Sequence, residues 1–314
     1  MAIPTPDKSY LPGLPRYLSF VDESGHSVDP RRSCLCLAGL LATEDAWKTF
    51  DLEWRSACDD EGLTEPFHMM YFAARKKEFK GWPEDRRRRL LAKLVGAIQL
   101  AKAIPIGSVV MLRGPDALSE AVQKHYRDSH FIAFQPLTYH IGVAANMMDP
   151  LEGPGPGPVT MVYADHPEHS HGLANTGSLW EALRKHNQIV AMMMQSYVSE
   201  TPKDCTPLQA ADLWAYELGH HFEKIRPEGK PARWAFTEFV KMGLNYDFTH
   251  NFITYHGASG VNGIGRMARV QHWQEIDLSR PGIISRIPSG APGLLQELAQ
   301  LQSHLSANRR NESK

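Results

Sequence analysis

The 314-residue chain, at about 150 residues per domain, has room for one large or two modest domains and a sizeable core. Hydrophobic residues at 42% and charged residues at 22% are ordinary globular usage, which excludes a disordered chain, a collagen-like fibre and a membrane bundle. Lys and Arg number 34 against 35 Asp and Glu, so no global positive field draws the molecule to a polyanion, and any such site must be local.

Residues 1–16 read as a proline-containing N-terminal extension with no basic-then-apolar segment, so no targeting signal is expected. The longest apolar run, Cys34 to Ala42, is too short to span a bilayer, and no membrane role is expected. The four cysteines include no Cys-x-x-Cys, which points to neither a zinc knuckle nor a disulfide framework but to a reducing, cytoplasmic setting. Tyr17 to Val21 is an aromatic, apolar run predicted as a strand that stops in a turn at Asp22-Glu23-Ser24-Gly25. Cys34 to Leu41 predicts a second buried strand, and Thr43, followed by Glu44 and Asp45, predicts the N-cap of a helix to about Asp60 with Trp47 and Trp54 in its core face. Pro83 with Glu84 and Asp85 opens a further helix, in which Leu90, Leu91, Leu94, Val95 and Ile98 recur at helical spacing. Ala103 to Leu112 has strand character, and Pro115 to about Met148 holds one or two helices.

Asp149 to Pro158 is a Pro/Gly loop, beyond which Val159 to Ala164 predicts another strand that again ends at an acid, Asp165. Leu173 to Asn187 reads as helix, Ile189 to Val198 as strand, and Thr206-Pro207-Leu208-Gln209 as a capping box opening a helix. Pro231 to Gly243 is predicted helical, Gly257 to Gly265 is predicted as a flexible loop, and Pro292 to Leu305 carries leucines at helical spacing before a tail predicted to be disordered.

Two apolar strands distant in sequence thus end in carboxylates, at Asp22 with Glu23 and at Asp165, and sites in open α/β sheets lie beyond the carboxyl ends of strands. The third acid, Asp212, lies on a helix whose positions 208, 210, 211, 213, 214, 215, 216 and 218 are apolar or aromatic all round. Burying a carboxylate there requires compensation by an arginine or lysine, hydrogen bonds, a shifted pKa or a metal ion. Converging acids favour a hard divalent cation, Mg²⁺ or Mn²⁺, whereas each acid taken alone reads as a turn residue or as half of a structural ion pair.

The segments FVDESGH (20–26), FHMMYF and EFKGW (67–72 and 78–82), VYADHPEHSHG (162–172) and TPLQAADLWAYEL (206–218) together resemble the domain-of-unknown-function family numbered 3800. The resemblance covers about residues 17 to 250 and implies a ribonuclease H-like α/β fold: a mixed central sheet with helices on both faces, followed by a C-terminal extension over 251–314. It implies Asp22, Asp165 and Asp212 as metal ligands of a nucleic-acid phosphodiesterase, with Glu23 as a fourth candidate. If the strand continues through Glu23, however, that side chain points opposite to Asp22. After Phe67-His68-Met69 the chain departs from the family, carrying Met70-Tyr71 in place of a Thr-Asp pair and so lacking one acid.

His68 is expected in a core, supporting or proton-transfer role, and Gln209 beside the Asp212 site. His166, His169 and His171 around Asp165 form a possible zinc set, and with it an alternative zinc hydrolase; a second alternative is a non-catalytic nucleic-acid- or protein-binding module. Of His220 and His221, at least one is expected exposed. Arg75 to Lys77 and Arg86 to Arg89 are the dense basic runs, and four successive arginines on a helix sweep about 300°, so they cannot all face one ligand.

Overall fold

The structure, a computed structural model, describes residues 17–24, 32–114, 117, 129–148, 159–164, 176–186, 190–191, 194–245, 253–257, 260–263 and 275–276. Its centre is a mixed sheet. β1 (Tyr17–Ser24) pairs antiparallel with β2 (Cys34–Thr43), and β2 pairs antiparallel with β3 (Ile104–Met111). On the other side of β1 lie two parallel strands, β4 (Val159–Ala164) and then β5 (Met194–Glu200). Beyond β3 the sheet continues through β6 (Ile253–Gly257), β7 (Gly260–Gly263) and β8 (Glu275–Ile276), giving the order β5-β4-β1-β2-β3-β6-β7-β8. The inner strands are apolar in nearly every position because both sheet faces are covered.

One face carries Leu18, Phe20, Cys36, Ala38 and Leu40, and the other Tyr17, Val21, Leu35, Leu37 and Leu41. Against the first pack α1 (Glu44–Asp60), α2 (Met69–Ala73), α3 (Glu84–Leu100), α6 (Thr206–His220) and α7 (Trp234–Asn245). Against the second pack α4 (Ser129–Met148) and α5 (Thr176–His186). α1 begins as its sequence predicts: Thr43 Oγ1 accepts the Ala46 amide at 3.3 Å, and Trp47, Phe50, Trp54 and Ala57 form the buried stripe. The Trp47 indole donates to the Leu18 carbonyl at 2.9 Å, tying this helix to β1. α6 lies close over the sheet because Gly107 in β3 has no side chain; a Cβ there would stand 2.4 Å from Leu218 Cδ2.

Several expectations change. β1 does not stop at Val21 but runs through Asp22 and Glu23, whose Cα partners on β2 are Ala38 and Leu37; the ladder outlasts the apolar run. Val190 and Ala191 are helical, and the strand expected from Ile189 starts at Met194. The capping box does not form: Cys205 is the N-cap of α6 and caps nothing with its side chain, while Thr206 and Gln209 are both engaged by α1. Gly257 to Gly265, expected as a loop, holds the end of β6 and all of β7, because β3 offers a strand edge that the chain covers. His220 is half-buried, stacked on Tyr216 at 5.7 Å, and His221 is buried, stacked on Phe236 at 3.9 Å, so neither is exposed. The stretch 292–305 and the tail lie outside the described residues. Among the described residues no helix is long and apolar enough to cross a membrane.

Candidate functional site

Asp22 stands near the carboxyl end of β1 and is 1% exposed. Strand alternation puts it on the face of Leu18 and Phe20, the face that α6 covers. Its Oδ1 accepts the Glu23 amide at 2.7 Å. β1 is also where the sheet order departs in two directions, to β2 and to the parallel β4, which is the kind of position where open α/β sheets form a crevice.

Asp212 comes to this side of the sheet from α6. Its Oδ2 accepts two hydrogen bonds, from the Met69 amide at 2.7 Å and from His68 Nδ1 at 2.9 Å. The Met69 amide is one of the donors that the start of a helix leaves without an intrahelical partner, so the carboxylate of α6 closes the N-terminus of the short α2. The fully buried Met69 and the nearly buried Phe67 and Phe72 fix α2 in the core and thereby fix His68 over Asp212. Both bonds go to Oδ2, and the side chain keeps 15% of its exposure. A histidine held at Nδ1 by a carboxylate has its ring orientation restrained. Among the described residues no arginine pairs with Asp212; a histidine and a backbone amide do.

Gln209 does not reach this pair. Its Oε1 accepts the Trp54 indole at 3.1 Å and its Nε2 donates to the Pro202 carbonyl at 3.1 Å, so it locks α6 to α1. Thr206 hydrogen-bonds Asp51 on α1.

Glu23 belongs to the opposite face, which corrects its place among the candidates beside Asp22: because β1 continues, alternation turns it away. Its Oε2 lies 3.4 Å from the Tyr163 hydroxyl and 3.5 Å from His130 Nε2, and that ring nitrogen is 3.1 Å from the same hydroxyl. Burial, and then the charges of Glu23 and Asp22, push the Tyr163 phenol well above its usual range, so this hydroxyl stays a proton donor.

The acid that sequence reasoning missed is Glu217, also on α6. It is 0% exposed, and burial pushes its carboxyl up to about 7, with Arg233 Nη2 at 3.1 Å from Oε1 pulling the other way. Here, rather than at Asp212, the buried acid–arginine pair is realised. Its apolar neighbours 213, 214, 215 and 218 were the available signal.

The arginines of α3 are largely spent on structure. Arg86 and Arg89 reach Glu61, Arg88 reaches Glu84, and Arg87 reaches Glu84 and the Phe72 carbonyl. The cysteines do not offer a nucleophile: burial pushes the thiols of Cys34, Cys58 and Cys205 up to about 12.

Asp165, His166, His169 and His171 lie outside the described residues. Among the described residues no three His, Cys, Asp or Glu side chains cluster as a metal site. Carboxylate oxygens of the kind Asp22 and Asp212 carry are the donors that Mg²⁺ and Mn²⁺ take.

No family model and no curated protein matches the chain. Among solved structures the chain is similar to a chain of the PCNA:RNase HII complex from Archaeoglobus fulgidus, at 15% identity, covering 73% of this chain and 89% of that one, with a TM-score of 0.32. A likeness of that size carries no weight for fold or chemistry.

Proposed function

We propose that the protein is a ribonuclease H-like hydrolase that cleaves phosphodiester bonds of nucleic acid with Mg²⁺ or Mn²⁺ held by Asp22, Asp165 and Asp212. The observation that carries the reading is the placement of Asp22. It is a buried carboxylate at the carboxyl end of the strand where the sheet order divides, on the face covered by the helix that bears Asp212. The sheet supports the fold assignment, with an antiparallel β1-β2-β3 meander continued on the β1 side by two parallel strands. A bound divalent cation supplies Lewis-acid stabilisation and a more acidic water.

The chain's own residues do the rest. β2 pairs with the Asp22 backbone, opposite Ala38, and β4 with β1 as far as Val21, so the Asp22 carboxylate stands on a braced strand. The Met69 amide and His68 hold Asp212 Oδ2 and so restrain that carboxylate. His68, hydrogen-bonded to Asp212 through Nδ1, is the candidate for proton transfer. The four free cysteines go with a cytoplasmic setting. No observation favours the zinc alternative, whose histidines are outside the described residues.

The test is cleavage of single-stranded and duplex DNA and RNA by wild type and by Asp22→Asn, Asp165→Asn and Asp212→Asn, with Mn²⁺ binding followed by calorimetry. Cleavage is expected with Mg²⁺ or Mn²⁺, to be weak with Ca²⁺, and to be lost in EDTA and in each variant. Robust cleavage in EDTA, or three fully active variants, overturns the proposal.

A further inference from the structure

Residues 75–80 contain Arg75, Lys76, Lys77 and Lys80 against a single acid, Glu78, in a chain whose net charge is only −1. A basic run is usually a solvated surface, but three observations set this one apart. The first is backbone conformation. Arg75 and Lys77 hold φ of 53° and 52°, the left-handed region that glycine occupies without cost and side-chain-bearing residues enter rarely. Two cationic side chains stand where glycine would suit the backbone better.

The second is rigidity. The Lys76 amide returns to the Tyr71 carbonyl at 2.9 Å, Phe79 to Lys76 at 3.1 Å and Lys80 to Lys77 at 3.1 Å. Beneath the turn, Phe72 and Phe79 are buried at 3% and 2% exposure with ring centroids 5.3 Å apart. The cations are therefore presented from a fixed base. Lys76 and Lys80 form no ion pair among the described residues, and Arg75 shares Glu84 with Arg87 and Arg88, so positive charge is in local surplus.

The third is position. Lys77 Nζ lies 3.9 Å from the centroid of the Tyr71 ring, and that ring meets the His68 ring at 4.7 Å, with His68 in turn on Asp212 at 2.9 Å. Tyr71 thus links the basic turn to the Asp212–His68 pair.

We propose that this turn is the rim that grips the phosphate backbone of a nucleic-acid strand passing the Asp212–His68 pair, with Lys76, Lys77 and Lys80 as the phosphate contacts. The proposal rests on the function proposed above for its partner class. Charge complementarity commits it to a polyanionic backbone, and the neutral whole explains why binding is confined to this rim.

The test is fluorescence anisotropy of a labelled 20-nucleotide oligodeoxythymidine in EDTA, titrated at several NaCl concentrations, with the full-length chain. Wild type is compared with the triple variant Lys76→Ala, Lys77→Gly, Lys80→Ala. Each phosphate contact on a single strand contributes about 0.7 to the slope of log K against log salt, so the triple variant should bind more weakly with a slope shallower by about two. It should also melt no lower than wild type, because glycine suits the backbone at position 77. Should the triple variant fail to fold, Lys76→Ala alone is expected to flatten the slope by about 0.7. A folded variant with wild-type affinity and slope overturns the proposal, as does a wild type that binds no oligonucleotide. So does a loss confined to polyglutamate, which would indicate an acidic protein partner. The two proposals fail separately: unchanged binding beside metal-dependent cleavage lost in Asp22→Asn refutes only the rim, and lost binding without any metal-dependent cleavage refutes only the hydrolase.

Discussion

Replacing Glu217 by glutamine isolates the electrostatics of the α6 core. Glu217 is wholly buried; Arg233 stands 3.1 Å away, yet neither carboxylate oxygen receives an aligned hydrogen bond among the described residues. Burial outweighs the arginine and lifts the carboxyl from the usual 4.5 to about 7. The folded chain therefore keeps this proton to higher pH than the unfolded chain does. The stability that results is fully present below pH 4.5 and is lost as the pH rises through about 7. At about 1.4 kcal/mol per unit the difference amounts to about 3 kcal/mol. Glutamine has nearly the same shape and no titrating proton, so Glu217→Gln should gain about 3 kcal/mol relative to wild type between pH 4.5 and 8. Urea unfolding in EDTA, followed by tryptophan fluorescence at intervals across that range, measures the difference directly. A difference that stays flat, or that moves in favour of wild type as pH rises, would refute the reasoning and show that Arg233 holds Glu217 as an ordinary ionised partner.

Without metal, Asp212→Asn keeps an acceptor but removes the charge behind two hydrogen bonds, and is expected to cost about 1–2 kcal/mol in thermal melts and to abolish any Mg²⁺-induced rise. A variant that melts with wild type and keeps its Mg²⁺ response removes Asp212 from the site. Gly107→Ala sets a methyl group 2.4 Å from Leu218 Cδ2 in a fully packed layer and should cost about 1–3 kcal/mol by calorimetry; an unchanged melting temperature means α6 is not closely seated on β3. Trp54→Phe deletes the indole donor to Gln209 and should cost about 1–2 kcal/mol in urea unfolding, and a neutral outcome would show that this bond does not hold α1 to α6.

Signals that act over a few residues were legible in the chain alone. The inner strands read as apolar runs because both their faces are buried, Thr43 with its following acids marks the start of α1, and Pro83 marks the start of α3. The turning of Glu23 away from Asp22 follows from the two-residue period of a strand, once the strand is known to continue. Partner choice was not legible. Thr206 and Gln209 have the local spacing of a capping box, but Asp51 and Trp54 on α1 outbid the backbone for them, and that competition exists only after the two helices pack. Asp212 and Glu217 sit on the same apolar helix five residues apart, about 140° round its axis. One therefore meets the amide and imidazole at the start of α2, the other a half-buried arginine just before α7. Which acid stays accessible and which is buried with a cation depends on how α6 is rotated against the sheet. That rotation is set by packing at Gly107 and Leu218, contacts between residues more than a hundred positions apart that no local pattern encodes.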